Sequence, residues 1–340
     1  MKTQKQERTR PLKTQARRRS TNNSTKRTKG SLEIVTYHAV VSCAPLLKDW
    51  CFLTARKFER QMEFLHRIGC DVMPLADAAD RLVSGQLTRR TIAITFDDGY
   101  MNNITNALPI LERYGFPATI FLVSELVGLK TALWPNRILA AIANSERSHI
   151  DFRGHTMKMG NVKERIHASR KLQTLVKADS GDDPQAAVEE IERACGTCIN
   201  PKFSADHDFA VMDASTIRAS VAGGLIDFGA HSMTHPILSK VSDRRLKSEI
   251  QNSIKSVEEL TGVPCRLFAY PNGGPDDFDD RAVGFLRETN VDYAVTTVQA
   301  QNKMASDSYR LSRWNVGGES SIAGFATKIL CSGFISRISQ

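Results

Sequence analysis

Short apolar runs alternate with amphipathic segments along most of this chain of 340 residues. Residues 91–96 are apolar and β-branched and contain neither proline nor glycine, which predicts a strand buried on both faces, as in a parallel sheet. Residues 54–69 show apolar positions at helical spacing between a candidate N-cap, Thr54, and a terminating Gly69. Alternation of these two patterns favours parallel strands joined by helices, in a wound sheet or a barrel.

The same two patterns predict the remaining elements. Strands are expected at 32–38, 72–75, 118–123, 225–230, 266–270, 293–296 and 309–311. Further helices are expected at 76–83, 104–115, 214–222, 242–262, 280–288 and 322–330. The alternation of strands and helices is interrupted at about 134–202, where helical patterns at 162–176 and 184–194 enclose an acidic loop at 179–183. We therefore expect one α/β domain over 31–335, with a helical insertion that rises from a strand-to-helix loop.

Basic charge is concentrated at the start of the sequence. Residues 1–30 contain eleven basic residues and one acidic residue, whereas the rest of the chain has 35 basic and 36 acidic residues. The tail is too poor in apolar residues to fold, so we expect it to be disordered. Weak attachment to nucleic acid or to anionic lipid is the alternative. No secretory apolar segment or membrane-spanning run is present, which favours a cytoplasmic location.

The cysteines also favour a cytoplasmic location. Their number, seven, is odd, and they are scattered along the chain, which suits reduced thiols in the cytosol. Cys195 and Cys198 form a single CxxC pair after a helical pattern. Because no second pair accompanies it, we expect a structural role rather than a metal or redox site.

Candidate catalytic residues follow predicted strands. Asp97 and Asp98 come directly after 91–96, and His231 and His235 come after 225–230. The carboxyl ends of parallel strands meet at one edge, and two neighbouring carboxylates need a partner such as a metal ion or an arginine. One carboxylate with two imidazoles leaves a position open for water, as catalytic zinc sites do. The second carboxylate is then free to accept a proton, although the pair taken alone equally suits a turn with a helix cap.

Three segments resemble the first three motifs of the polysaccharide deacetylase family, the NodB-homology group that forms carbohydrate esterase family four. They are Thr-Phe-Asp-Asp-Gly at 95–99, His-Ser-Met-Thr-His at 231–235 and Phe-Ala-Tyr-Pro-Asn-Gly at 268–273, in the family's order. The resemblance covers about 32–334, without most of the insertion. It implies a distorted (β/α) barrel of about seven parallel strands. It also implies a metal-dependent hydrolase of carbon–nitrogen bonds, not peptide bonds, which removes N-acetyl groups from amino sugars of a polysaccharide or oligosaccharide.

The resemblance also implies roles for single residues. Asp97 would be the general base, and a backbone N–H of Asn272 would help to stabilise the oxyanion. The divalent metal would be zinc, with cobalt as the second choice, and it would polarise the acetamide carbonyl. The implied metal ligands are Asp98, His231 and His235. The implied substrate-binding residues of the motifs are Tyr100, Tyr270, Pro271 and Asn272. The implied partner is an N-acetylated glycan.

Two positions depart from the family's pattern. Ala269 stands where many members have an arginine that partners the catalytic aspartate, so Arg266 or Arg313 could supply that charge. We favour Arg313, because it lies where the family's fifth motif falls. Many members have a histidine there that protonates the leaving amine, which an arginine cannot do at neutral pH. His38 is a candidate replacement acid, and a role near the metal or in the structure is the alternative.

The sequence leaves two questions undecided, the role of one aromatic residue and the choice between related functions. Trp134, at the base of the insertion, either stacks on a sugar ring in a groove or packs in the core. The same site could belong to an O-acetyl esterase, since an alkoxide leaving group needs no strong acid. A glycan-binding homologue without turnover and a protein that binds nucleic acid through its tail are further alternatives.

Overall fold

The structure is a computed structural model in which residues 30–45, 47–179 and 184–331 are described. The predicted disordered tail, apart from Gly30, lies outside the described residues. So do most of the predicted acidic loop at 179–183 and the end of the predicted domain beyond 331. Within the described ranges, no helix combines the length and the apolar composition that a membrane crossing needs.

The described chain contains twelve strands and ten α-helices. The strands are β1 (Leu32–Tyr37), β2 (Ala39–Val41), β3 (Phe52–Thr54), β4 (Asp71–Val72), β5 (Thr91–Phe96), β6 (Ala118–Leu122), β7 (His149–Phe152), β8 (His155–Lys158), β9 (Ile226–Ala230), β10 (Leu267–Ala269), β11 (Tyr293–Val295) and β12 (Arg313–Asn315). The helices are α1 (Ala55–Arg67), α2 (Leu75–Val83), α3 (Leu108–Tyr114), α4 (Trp134–Asn144), α5 (Val162–Asp179), α6 (Gln185–Cys195), α7 (Ala214–Gly223), α8 (Asp243–Thr261), α9 (Asp280–Arg287) and α10 (Ile322–Leu330).

The main sheet is a nearly closed barrel of parallel strands. Its order is β11-β10-β9-β6-β5-β1-β12, and the short β4 pairs with the start of β5. A parallel bridge between Val295 and Leu311 joins β11 to the chain just before β12, so the two edges of the sheet meet. Seven strands therefore surround one interior, which confirms the predicted distorted (β/α) barrel.

Strand register brings the predicted catalytic segments to one rim. β1 and β5 pair in parallel from Leu32 opposite Thr91 to Tyr37 opposite Phe96, so both strands end at the same level. β6 and β9 pair up to Leu122 opposite Ala230. Both faces of β1 and β5 are buried, because helices cover the outside of the sheet and side chains fill its interior.

The insertion between β6 and β9 is not wholly helical. It contains α4, α5 and α6, whose apolar side chains pack in one hydrophobic cluster with Ala39 of β2, Phe52 of β3 and Tyr100. Between α4 and α5 lies an antiparallel hairpin of β7 and β8. The hairpin turns at Arg153 and Gly154, which both have positive φ, and residues of β7 alternate between exposed and buried. In the sequence, polar and apolar residues alternate over these four positions, and this alternation was the signal for the hairpin.

Some strand boundaries differ from the predicted ones. The first strand ends at Tyr37, and the short β2 that follows pairs with β3. The second strand stops at Val72, because Pro74 cannot donate to a sheet and instead precedes the first residue of α2. The last barrel strand is β12, whereas the predicted strand at 309–311 contributes only the bridge at Leu311.

Candidate active site

Three buried side chains form a group that could hold a metal ion. The Oδ1 atom of Asp98 lies 3.7 Å from the Nε2 atom of His231 and 3.7 Å from the Nε2 atom of His235. One ligand atom from each residue lies within 4.8 Å of the other two. Asp98 and His235 have φ values of 73° and 60°, a left-handed conformation that is rare outside glycine and is typical of functional sites.

The imidazole of His231 is oriented as a metal ligand requires. Its Nδ1 atom lies 2.7 Å from the carbonyl oxygen of Ala269. Since a carbonyl can only accept, Nδ1 carries the hydrogen and the lone pair of Nε2 faces Asp98. Burial lowers the pKa of His231 and, more strongly, that of His235, and the nearness of the two rings lowers the pKa of His235 further, because a proton on one ring disfavours a proton on the other. Both rings are therefore neutral, which is the form that binds metals.

A buried carboxylate of α8 holds the loop that carries the two histidines. Glu249 accepts hydrogen bonds from the backbone N–H groups of Met233 and Thr234, each at 2.9 Å, and from the hydroxyl of Thr234 at 2.6 Å. Within the loop, the backbone N–H of His235 donates to the Ser232 hydroxyl at 3.0 Å. The loop that carries the histidines is thus held by Glu249 from outside the motif and by Ser232 from within it.

Asp97 is paired with Arg313. Both terminal nitrogens of the guanidinium lie 2.7 Å from the two carboxylate oxygens, and the Nε atom donates to the carbonyl of Thr296 at 2.8 Å. Burial alone would raise the pKa of Asp97, but the charge and the hydrogen bonds of Arg313, together with smaller contributions from His231 and His38, outweigh it and hold the pKa well below its usual range. Arg266 instead pairs with Asp80 and Asp292 on the surface. Arg313 is therefore the arginine that the fold brings to Asp97.

The electrostatics of Asp98 fit a bound cation. Burial raises the pKa of this carboxyl, and the negative charge of Asp97 raises it further, to about 8. Arg313, whose charge lowers this pKa only slightly, is already bound in a bidentate pair with Asp97. A divalent cation between Asp98 and the two imidazoles would supply the missing positive charge. The donor set of one carboxylate and two imidazoles suits zinc.

A cavity of about 270 Å³ opens above these groups. Of the residues predicted to bind substrate, Tyr100 and Asn272 line it, as do the predicted catalytic residues Asp97 and His38. The structure does not bring Pro271, Tyr270 or Trp134 to its wall. Tyr270 is buried against Phe278 and donates its hydroxyl to the carbonyl of Tyr309 at 2.9 Å. Trp134, with 4% of its surface exposed, packs in the hydrophobic cluster of the insertion.

The cavity also contains residues that the sequence analysis missed. Trp50 is 46% exposed on the cavity wall, and its ring lies 4.8 Å from that of His38 in an edge-on contact. Helix α5 of the insertion contributes Gln173 and Lys177. No motif connects these positions to the strand ends. An aromatic residue beside charged ones in the loop before β3 was the single sequence signal for Trp50.

His38 reaches the cavity in a neutral form. Burial lowers its pKa to about 4, and the negative charge of Asp97 only partly offsets this effect. The Nδ1 atom is buried and, among the described residues, has no hydrogen-bond partner. The ring is therefore free to accept a proton or to bind a ligand. At neutral pH it is unprotonated, so it has no proton to donate.

Comparison with protein families identifies the class of this chain. The model of the polysaccharide deacetylase family matches residues 84–205 and 198–294. These ranges span more than half of the chain and contain both the Asp97-Asp98 segment and the His231/His235 loop. The chain belongs to the polysaccharide deacetylase family.

Individual relatives are more distant and match only in part. The poly-beta-1,6-N-acetyl-D-glucosamine N-deacetylase of Staphylococcus epidermidis is 25% identical over 171 residues, 44% of this chain and 58% of that protein. YxkH of Bacillus subtilis, whose name as a polysaccharide deacetylase is provisional, is 33% identical over 100 residues, 29% of this chain and 34% of that protein. The chain thus spans about a third to three-fifths of the length of the curated relatives that it matches.

Solved structures share the fold. The Streptococcus pyogenes deacetylase PplD, in complex with acetate, superimposes on 88% of this chain and 98% of its own, with a TM-score of 0.58 and 15% identity. The de-N-acetylase from Aggregatibacter actinomycetemcomitans gives the same TM-score, identity and coverage of this chain, with 99% of its own chain covered. At this level of identity the likeness concerns the barrel fold alone.

Proposed function

We propose that this chain is a metal-dependent hydrolase that removes N-acetyl groups from amino-sugar residues of a polysaccharide or oligosaccharide. One observation carries the proposal. A buried carboxylate with two neutral imidazoles lies beside a second carboxylate that is kept ionised by an arginine, and both groups face one cavity. Family membership supports the same reaction class.

The first part of the site would hold the cofactor. Asp98, His231 and His235 are the proposed ligands, with zinc as the first choice of metal and cobalt as the second. When bound there, a divalent cation supplies Lewis acidity for the acetamide carbonyl and lowers the pKa of water. The hydrogen bond from Nδ1 of His231 to Ala269 keeps that ring in the ligating orientation.

Asp97 and Asn272 would act on the reacting atoms. Because Arg313 holds the pKa of Asp97 low, its carboxylate is ionised at neutral pH and can take the proton of the attacking water. Arg313 also restricts the carboxylate to one orientation through two parallel hydrogen bonds. We assign the backbone N–H of Asn272, in the left-handed turn on the cavity wall, to stabilisation of the oxyanion.

Protonation of the leaving group distinguishes two related reactions. His38 lines the cavity and is neutral, so it would first have to receive a proton before passing it to the leaving amine. Arg313, at the position of the family's acidic histidine, cannot donate one. This arrangement favours an O-acetyl esterase on a glycan as the second candidate function, since an alkoxide needs less assistance than an amine.

Acetate release tests the proposal. The zinc- or cobalt-loaded protein should release acetate from β-1,4- or β-1,6-linked N-acetylglucosamine oligomers. Asp97→Asn should reduce the rate by about 10²- to 10⁴-fold, the usual contribution of a general base. Acetate release from O-acetylated sugars alone would replace the proposal with the esterase. Oligomer binding without any release would indicate a homologue that has lost turnover.

A further inference from the structure

Helix α5 of the insertion forms part of the cavity wall. Gln173 and Lys177 lie four residues apart on this helix, so their side chains project from one face, and both line the cavity. The carbonyl of Lys177 in turn accepts a hydrogen bond from the ammonium of Lys240 at 2.5 Å, which ties the end of the helix to the barrel. The insertion is therefore a constituent of the active site.

Lys177 is hydrogen-bonded to the loop of the third motif. Its Nζ atom donates to the Oδ1 atom of Asn272 at 2.6 Å. An ammonium has three N–H groups, so two remain for other acceptors. Among the described residues, no carboxylate lies within ion-pair distance of Lys177, although it is half-buried. The ammonium is thus directed at the cavity with most of its hydrogen-bonding capacity unused.

This contact determines how the Asn272 side chain is turned. Because Lys177 can only donate, it requires the oxygen of the carboxamide, and the Nδ2 group must point the other way. Nδ2 is buried and has no hydrogen-bond partner among the described residues. The backbone of Asn272 is held as well, since its carbonyl accepts from the hydroxyl of Thr297 at 2.7 Å. Asn272 is thus fixed at its side chain and at its backbone, and it holds the ammonium of Lys177 at one place on the cavity wall.

We propose that Lys177 is a specificity-determining residue, whose ammonium, held in place by Asn272, binds an oxygen atom of an N-acetylated sugar in the cavity. The proposal rests on the proposed function for the class of ligand. The ammonium can only donate, so its ligands are hydroxyl and carbonyl oxygens. It repels the ammonium of a sugar that has lost its acetyl group, because both ammonium groups are positively charged. Lys177 would thereby distinguish substrate from product.

The test measures binding without turnover. In an Asp97→Asn background loaded with zinc, calorimetry would follow the binding of β-1,4- and β-1,6-linked N-acetylglucosamine pentamers and of their fully deacetylated counterparts. Adding Lys177→Met should weaken binding of the preferred acetylated pentamer about tenfold, the affinity equivalent of one hydrogen bond to a charged group. The same substitution should strengthen binding of the deacetylated pentamer. Lys177→Arg should retain the discrimination between the two.

Lys163→Met provides the matched control. Lys163 is exposed in the first turn of the same helix and does not line the cavity, so its removal should leave both affinities unchanged. Equal affinities with and without Lys177→Met would overturn the proposal. So would a change of the same sign for both pentamers, or a background protein that binds none of them. Failure of the deacetylase proposal is read separately, as absence of acetate release by the unsubstituted protein.

Discussion

The proposed proton transfer depends on the bidentate ion pair between Asp97 and Arg313, which keeps the base ionised. Arg313→Met would leave a buried carboxylate without its counter-charge, and burial would then raise the pKa of Asp97. We expect acetate release to slow by about 100-fold, within the range that a general base contributes. The measurement is the steady-state rate at neutral pH with saturating zinc.

Two substitutions make this experiment specific. Arg313→Lys keeps the charge but lacks the planar fork, so an intermediate rate is expected. Arg266→Met removes an arginine that pairs with Asp80 and Asp292 at the surface, and the rate should not change. A rate for Arg313→Met close to that of the unsubstituted protein would contradict the role given to the pair.

Short motifs locate a candidate site residue when they follow a recognisable strand. The grouping of Asp98, His231 and His235 at one rim could be predicted, because each lies just beyond an apolar run and parallel strands end at a common rim. Trp50 and Lys177 could not, since they reach the cavity from a loop and from the insertion, and only tertiary packing brings these segments to the rim. For Trp134 the sequence left two environments open, a groove or the core, because residue type alone does not distinguish them. The structure places it in a hydrophobic cluster.

Helix α8 supports the proposed metal site through one buried side chain. Glu249 accepts three hydrogen bonds from residues that lie between His231 and His235. Glu249→Ala should weaken zinc affinity by about 10- to 100-fold, the effect usually found for groups that orient metal ligands. Competition with a fluorescent zinc chelator would measure this affinity independently of catalysis.

The same helix offers matched controls. Glu249→Gln keeps a carbonyl oxygen for the two backbone donors and should retain most of the affinity. Glu259→Ala removes an exposed glutamate that pairs only weakly with Lys255, so zinc binding should be unaffected. If Glu249→Ala bound zinc as tightly as Glu259→Ala does, the loop would not depend on this helix for its geometry.

Elements with long, regular patterns were predictable, whereas several of the short ones were not. The apolar stripes of α1 and α8 and the apolar runs of β1, β5 and β6 extend over five or more residues, long enough to establish a period. β2, β3, β7 and β8 have three or four residues each, so their pairing depends on contacts made by the assembled fold. The chain at 309–311 was misassigned because its apolar and aromatic residues suit a strand, whereas the hydrogen-bonded pairing with β1 begins at Arg313.

At the scale of the whole molecule, the proposed ligands join strands that are not neighbours. Asp98 follows β5, and the two histidines follow β9, with β6 between these strands in the sheet. The same rim carries positive φ values at Asp98, Ser232, His235 and Asn272. Such conformations cost free energy unless the surroundings compensate. A cation bound by Asp98 and the histidines would link two strand ends and offset part of this cost.

Metal removal should therefore lower the stability of the entire barrel and not only its activity. With zinc at about 100 times its Kd, binding to the folded state alone contributes about 2.7 kcal/mol. For a domain of this size, that corresponds to a rise in Tm of roughly 5 °C over the chelator-treated protein. Differential scanning calorimetry would measure the difference, and Asp98→Ala, which removes one ligand, should abolish it. An equal rise in Tm for Asp98→Ala would place the zinc elsewhere in the molecule, because the remaining histidines alone would not hold the ion at the same affinity.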